Sequence, residues 1–176
     1  MSFRIKYGLH LRTVDESDAA FILGLRTDER LSRFLSETSV SIEDQIEWIG
    51  QYKQRERKGE EYYFISLDGE GNRLGLNRLC NFDADSFEAG SWLFRRGLDT
   101  GIPVLGDLAT RDFGFEELHF DSCRFEVLRG NEAVVKYHRG FRPELVGEDE
   151  RAYYFRLSRP AYEVYRNKLL KIFFHE

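Results

Sequence analysis

Two arginines and two glycines separate an apolar, strand-like stretch from a helical pattern near the middle of the chain. Gly97 and Gly101 give the connecting backbone freedom, and Pro103 suits a first helical turn, where its missing N–H has no partner to lose. Amide groups at a helix start and the positive end of the helix dipole attract anions, and Arg95 and Arg96 add positive charge beside them. The spacing predicts a phosphate-binding turn, with a plain strand-to-helix connection as the alternative.

Two common nucleotide-binding patterns do not occur in the chain. No Gly-x-Gly-x-x-Gly follows the first strand, and no Gly-x-x-x-x-Gly-Lys-Ser/Thr is present.

The cysteines, Cys80 and Cys123, each lie in a strand-like context without a second Cys or His at metal spacing. We therefore expect two buried thiols in a reducing compartment and no metal.

The overall composition limits the class of protein and of partner. Hydrophobic residues make up 41% of the 176 residues, aromatics 15% and charged residues 32%, which is typical of a folded, soluble chain. The formal net charge of −5 provides no general basic surface for nucleic acid. No signal-peptide-like run begins the chain, and no stretch of about 18 consecutive apolar residues occurs. We expect a cytoplasmic protein with neither a nucleic-acid nor a membrane partner.

The elements that hold the turn follow from hydrophobic periodicity and capping residues. Alternation predicts a strand over 8–14, and Asp15 with Asp18 three positions later predicts a helix start. Ser41 and Asp44 repeat that signal before a second helix. The residues expected to be buried by these two helices are Phe21, Ile22, Leu25, Ile42, Ile46, Ile49 and Tyr52.

Strands dominate the next part of the chain. The segments YYFISL and RLGLNRLCNF flank DGEGN, whose glycines suit a tight reversal, so we expect a hairpin. A third strand, SFEAGSWLF, leads into the turn described above.

After the turn and its helix, DSCRFEVL predicts a strand, a short helix begins near Asn131, and RAYYFRL predicts another strand. A proline-initiated amphipathic helix closes the chain over about 160–174. This order of elements predicts an α/β (α+β) fold in one domain spanning 1–176.

The order of elements and the turn resemble the GNAT superfamily of acetyl-CoA-dependent N-acetyltransferases over roughly Leu9 to Leu157, in the branch that acetylates ribosomal proteins. In that family a bulged strand leads into Arg/Gln-x-x-Gly-x-Gly/Ala, whose amides bind the pyrophosphate of coenzyme A. Arg96 and Gly101 match the first and last positions of this pattern, and Asp99 occupies the position of its middle glycine. A carboxylate there repels the pyrophosphate unless it turns outward. The resemblance implies a mixed, mostly antiparallel central sheet flanked by helices.

A second family pattern is similar to NEAVVKYHRGF. Asn131, Gly140 and Phe141 match it, while His138 takes the position of a tyrosine and the segment is shorter than in the family. That tyrosine protonates the departing thiolate of coenzyme A, and an imidazole can do the same near neutral pH. The resemblance therefore implies that His138 is the general acid, with Tyr137 as the fallback and a plain helix histidine as the alternative.

The same resemblance implies acetyl-CoA as co-substrate and backbone amides of the bulged strand as donors to the thioester oxygen. Glu88 is the only carboxylate in that strand and is the candidate base for the incoming amine. With ideal alternation it shares a face with Trp92, although a bulge would reverse this. The residues expected to bind the cofactor are Trp92, Leu93, Phe94, Arg95, Arg96, Gly97, Thr100, Gly101, Ile102 and Asn131.

The acceptor amine is not fixed by the family. The segments QIEWIGQYKQRERKGEEYYF and FEAGSW, with the Tyr-His pair, resemble relatives that acetylate amino-sugar nucleotides. The predicted function is therefore acetyl transfer to a primary amine, with an amino-sugar nucleotide as candidate acceptor. The alternatives are a peptide N-terminal acetyltransferase and a catalytically silent fold that binds acetyl-CoA or a protein. We favour a small-molecule acceptor over a protein, and a homodimer is compatible with either. The aromatic candidates for acceptor contact are Phe34, Trp48, Tyr62 and Tyr63.

Overall fold

The computed structural model describes residues 4–31, 34 and 41–175. Its strands are β1 (Arg4–Lys6), β2 (Leu9–Thr13), β3 (Tyr62–Leu67), β4 (Arg73–Cys80), β5 (Ser86–Phe94), β6 (Ser122–Leu128), β7 (Glu144–Glu148) and β8 (Ala152–Ser158). Its α-helices in the same ranges are α1 (Ala19–Thr27), α2 (Ile42–Arg57), α3 (Gly101–Asp112), α4 (Glu132–Arg139) and α5 (Arg159–Phe174).

The eight strands form one sheet in the order β1-β2-β3-β4-β5-β6-β8-β7. Neighbouring strands are antiparallel except β5 and β6, which are parallel. One apolar core lies where α3, α4 and α5 cover the sheet, and a second lies under α1 and α2. The predicted α/β fold with a mixed, mostly antiparallel sheet is therefore confirmed.

Local capping chemistry fixes the N-terminal elements as predicted. The Asp15 side chain accepts a hydrogen bond from the Ser17 amide, and the Asp18 side chain accepts one from the Asp15 amide, each at 2.9 Å. The buried Asp18 carboxylate also accepts hydrogen bonds from Arg12 and Arg73, so this cap is tied to β2 and β4.

The buried face of α2 differs from the predicted stripe. Ile49 and Tyr52 are fully buried, but Ile46 is 40% exposed and Ile42 is half-buried, because Gln45 points into the protein instead. Phe21 of α1 is likewise half-buried, whereas Ile22 and Leu25 are buried as expected. The buried face of α2 thus follows the prediction at Ile49 and Tyr52 and differs from it in the first turns, where Gln45 is buried in place of Ile46.

Two short strands were not predicted. The first, β1, pairs with β2 across a two-residue turn. Tyr7 and Gly8 form this turn and both have positive φ, so Gly8 belongs to the turn rather than to the strand. In β7, Leu145 and Val146 are more than half exposed, so this edge strand lacks the alternation that identifies a half-buried strand.

The helix α5 supports α3 along its length. The Tyr162 hydroxyl contacts the Leu108 carbonyl and Asp112 at 2.9 and 2.8 Å, and Arg166 donates to Asp112 at 2.7 Å. At the other end of α3, the Phe173 ring is 3.0 Å from where a Gly101 side chain would begin. Both ends of α3 are therefore fixed by α5. None of the helices described is long and apolar enough to cross a membrane.

Candidate functional site

The two parallel strands at the centre of the sheet separate after a short paired region. Residues 86–88 of β5 pair with residues 122–124 of β6, and the described residues of the two strands do not pair beyond this point, although both strands continue. A cavity of about 530 Å³ lies at this gap. Its wall includes residues 88–93 of β5 and residues 125–128 of β6, so the gap is the candidate site.

A bulge in β5 lies beside the cavity. Gly90 pairs with Arg78 and Leu93 pairs with Leu76, which leaves two residues, Ser91 and Trp92, opposite one residue of β4. Ser91 accordingly has a positive φ of 50°. A bulge interrupts the ladder and leaves backbone groups free to bind a ligand. The bulged strand predicted from the family resemblance is thus present.

The bulge reverses the facing of the residues on its two sides. Trp92 packs in the core under α3 and donates from Nε1 to the Pro103 carbonyl at 2.9 Å, while Leu93 packs in the core under α1 and α2. Phe87 packs in the same core as Trp92, so its neighbour Glu88 points to the other face. The facing expected from ideal alternation is therefore wrong, because the bulge reverses it. Glu88 still lines the cavity and accepts a hydrogen bond from Asn81 at 2.8 Å.

The predicted phosphate-binding turn has a carboxylate at its centre. Asp99 Oδ1 accepts a hydrogen bond from the Gly101 amide at 2.8 Å, and the Asp99 carbonyl accepts one from the Ile102 amide at 3.0 Å. Asp99 is exposed, and its side chain turns back to the start of α3, where an anion would otherwise be bound. Gly97 has a positive φ of 80°, as the turn requires.

The remaining predicted cofactor residues divide into two groups. Trp92, Leu93 and Asn131 line the cavity, whereas the Phe94 ring packs into the core, within 2.3 Å of where side chains on Gly75 and Gly106 would begin. The other members lie in the turn or at the start of α3, where Arg95, Arg96 and Thr100 are exposed and Ile102 is half-buried.

His138 lies in the cavity wall and is only 5% exposed. Its ring packs 4.4 Å from the Phe125 ring and 5.9 Å from the Trp92 ring. Its Nδ1 atom is buried and has no hydrogen-bond partner within the part of the chain that the structure describes. Burial lowers the pKa of His138 well below its ordinary value of 6.5, and the nearby Arg111 cation lowers it further. The imidazole is therefore neutral at neutral pH, which disfavours the general-acid role.

Tyr137 belongs to a buried polar network on the other side of that ring. Its hydroxyl donates to Asp107 Oδ2 at 2.8 Å, Asp107 pairs with Arg111 at 2.9 Å, and Arg111 Nη1 donates to Cys123 Sγ at 2.9 Å. Burial raises the pKa of Tyr137 well above its ordinary value, and the Asp107 carboxylate adds to the effect. The phenol is thus a poor acid, directed at a carboxylate and not part of the cavity wall.

Of the four aromatic residues expected at the acceptor, the structure brings only Phe34 to the cavity. Tyr62 packs against Phe113 at 4.9 Å, in the core under α3. Trp48 and Tyr63 pack against each other at 5.6 Å under α2, beside the cavity but not in its wall.

The sequence patterns did not identify the arginines that line the cavity. They come from α1 and the segment after it, from β4, from α3 and from the β7–β8 connection. Because these segments are far apart in the sequence, no local pattern indicates that their arginines meet. These residues are Arg26, Arg30, Arg78, Arg111 and Arg151.

Comparison with known proteins agrees with this geometry. A family model described as an acetyltransferase (GNAT) domain matches residues 8–140. A comparison with curated protein sequences gave no match. Among solved structures, the chain is similar to apo FdhC, a nucleotide-linked sugar GNAT. The two chains are 32% identical, the alignment covers 99% of this chain and 97% of the other, and the TM-score is 0.84.

Two further solved structures share the fold at lower identity. The ribosomal-protein-S5-alanine acetyltransferase from Vibrio fischeri is 16% identical, covers 90% and 97% of the two chains, and gives a TM-score of 0.76. The spermidine N-acetyltransferase from Vibrio cholerae, in complex with CoA and spermine, is 19% identical over 89% and 98%, with a TM-score of 0.75.

The position of the Asp99 carboxylate at the start of α3 predicts the effect of removing its charge. Asp99→Asn keeps an oxygen for the Gly101 amide and removes the repulsion of a pyrophosphate, which is about 1 kcal/mol for solvated charges at contact. We expect coenzyme A to bind about three- to tenfold more tightly, measured by isothermal titration. Glu163→Gln, on α5 far from the Phe173 end that contacts Gly101, is the control and should not change binding. Unchanged or weaker binding to Asp99→Asn would contradict the repulsion.

The burial of His138 predicts part of the pH dependence of stability. Its pKa is lower in the folded than in the unfolded chain, so below about pH 6.5 the unfolded state binds the extra proton. Stability is therefore lost as pH falls, by up to about 1.4 kcal/mol per pH unit for this proton. In His138→Gln, urea unfolding between pH 7.5 and 5 should show a shallower loss of stability than in the wild type. Equal slopes for the two proteins would show that His138 is not held neutral.

Proposed function

Since this chain belongs to the GNAT family of acetyl-CoA-dependent N-acetyltransferases, we propose that its acceptor is the primary amine of a nucleotide-linked amino sugar. The observation that carries this proposal is the charge of the cavity wall. Among the described residues, five arginines line it against three acidic residues, Glu88, Asp107 and Glu126, of which Asp107 pairs with Arg111 and Glu126 with Arg151. A cationic wall in a chain of net charge −5 is suited to an anionic acceptor.

The charge of the wall also argues against a polyamine acceptor. A polycation would be repelled by the arginines, whereas the phosphates of a sugar nucleotide would be attracted by them. The 32% identity to a nucleotide-linked sugar GNAT, over nearly the full length of both chains, supports the same acceptor class.

Acetyl-CoA fits the site in outline. The gap between β5 and β6 is open beside a bulged strand, and the turn before α3 offers a helix start flanked by Arg95 and Arg96. Asp99 opposes the pyrophosphate at this point, and we propose that its carboxylate gives up the Gly101 amide when coenzyme A binds. When bound, acetyl-CoA supplies an acyl group activated as a thioester.

We assign the remaining roles from position and charge. The backbone at Ser91 and Trp92 is placed to donate to the developing oxyanion, because the bulge frees it from the ladder. Glu88 in the cavity wall is the candidate to take a proton from the acceptor ammonium, directly or through water. Neutral His138, with an unpartnered Nδ1, is suited to accept a hydrogen bond rather than to deliver a proton.

A free-thiol assay with a panel of amines tests the acceptor class. The panel contains amino sugars linked to UDP, dTDP or GDP, the same sugars without the nucleotide, spermidine and an alanine-initiated peptide. We expect one nucleotide-linked sugar to exceed its free sugar in kcat/KM by at least about tenfold, because each charge-assisted hydrogen bond contributes about 1.5–3 kcal/mol. A preference for spermidine or for the peptide would refute the proposed acceptor.

A further inference from the structure

We infer that Arg78 of β4 binds the diphosphate of the acceptor and that the buried Glu61 and the Trp48 ring hold it in position for this. The inference rests on the proposed function, since it identifies the part of the site that reads the nucleotide-linked acceptor. It assigns a role to a buried ion-pair cluster outside the catalytic residues. That cluster is formed by Trp48, Arg55, Glu61 and Arg78, and we call it the Glu61 cluster.

Glu61 is the fixed point of the Glu61 cluster. Its side chain is 4% exposed, and its two oxygens are each held by an arginine. Arg55 Nε donates to Oε1 at 2.8 Å, while Arg78 donates to Oε2 from Nε at 3.1 Å and also from Nη2. A buried carboxylate needs such partners, because removing it from water without them is costly. The carboxylate therefore fixes one edge of the Arg78 guanidinium.

Trp48 fixes the plane of the same guanidinium. The Arg78 cation lies 5.5 Å from the Trp48 ring centre, and the Arg55 cation lies 5.8 Å from it. Trp48 in turn stacks on the buried Tyr52 at 5.8 Å with an interplanar angle of 5°. The arginine is thus held before any ligand arrives, which lowers the entropic cost of binding.

One end of the Arg78 guanidinium is left for a ligand. The Nη1 atom of Arg78 has no hydrogen-bond acceptor among the described residues. It is also not fully buried, so a ligand can reach it. The Arg78 side chain is 28% exposed and lies in the cavity wall, with its backbone paired to Gly90 at the β5 bulge. A guanidinium in this state suits a phosphate oxygen, and Arg26 and Arg30 line the same cavity.

The position of Arg78 favours the acceptor over coenzyme A. Arg78 lies opposite Tyr63 in the sheet and against Trp48, on the face covered by α2. The turn before α3, where the pyrophosphate of coenzyme A is expected, belongs to the opposite face, on which the Phe94 ring packs against Gly106 of α3. Two anionic ligands that enter the gap from opposite faces of the sheet would therefore contact different arginines.

The competing explanation is that Glu61 only joins three elements. Arg55 lies near the end of α2, Glu61 immediately precedes β3 and Arg78 is in β4, so the ion pairs also connect these elements. Arg55 provides a matched control because it pairs with the same carboxylate and the same indole but does not line the cavity. A purely structural cluster would respond similarly to the loss of either arginine.

The experiment is isothermal titration of UDP, dTDP and GDP into protein saturated with coenzyme A, which prevents the nucleotides from binding at the coenzyme A site. Wild-type protein is compared with Arg78→Gln, Arg78→Lys, Glu61→Gln and Arg55→Gln. We expect at least one nucleotide to bind the wild type and to bind Arg78→Gln about ten- to a hundredfold more weakly. Arg78→Lys should recover part of the nucleotide affinity that Arg78→Gln loses. Glu61→Gln should bind the nucleotide more weakly than the wild type and should bind coenzyme A with unchanged affinity.

Two results would overturn the inference. If a nucleotide binds the wild type but Arg78→Gln and Arg55→Gln lose affinity equally, or neither loses any, Arg78 does not read the diphosphate and the proposed acceptor still stands. If no nucleotide binds and no nucleotide-linked sugar is acetylated, the proposed acceptor fails and the inference fails with it. Coenzyme A affinity and thermal unfolding of each variant separate loss of folding from loss of the phosphate contact.

Discussion

The separation of β5 from β6 is the constraint on which the rest of the site depends. The two strands pair only as far as Glu88 and Arg124, and the bulge at Ser91 and Trp92 then bends β5 away from a regular ladder. This separation leaves backbone groups in the middle of the sheet without a strand partner. Such groups need hydrogen bonds from elsewhere, which is why a ligand-binding cavity can exist at the centre of an otherwise continuous sheet.

Charge is distributed unequally around that cavity. On one side, Asp107, Arg111 and Tyr137 form a closed, mutually satisfied network, and the adjacent His138 is held neutral. On the other side, Glu61 satisfies only part of the Arg78 guanidinium and leaves cationic groups facing the cavity. The first arrangement avoids unpaired buried charge, and the second retains positive charge for an anionic ligand.

Features with local causes were predictable from the sequence, and features with distant causes were not. The Asp15–Asp18 cap and the β3–β4 hairpin follow from adjacent residues, and both are present. The edge strands β1 and β7 depend on pairing partners rather than on their own pattern, so they were missed. The bulge reversed the expected facing of Glu88 and Trp92, because a single extra residue changes the alternation. The arginines of the cavity wall are far apart in the chain, so only the fold could bring them together.

Hydrogen exchange with and without acetyl-CoA tests most directly whether the gap between β5 and β6 is the cofactor site. Amides of β5 beyond Glu88 have no β6 partner in the free protein, so a ligand in the gap should slow their exchange. We expect slower exchange at saturating acetyl-CoA in peptides covering 89–101 and 125–128, with exchange of the β7 edge strand unchanged. Saturable binding that leaves 89–94 and 125–128 unprotected would show that acetyl-CoA binds elsewhere and that the gap is not the cofactor site.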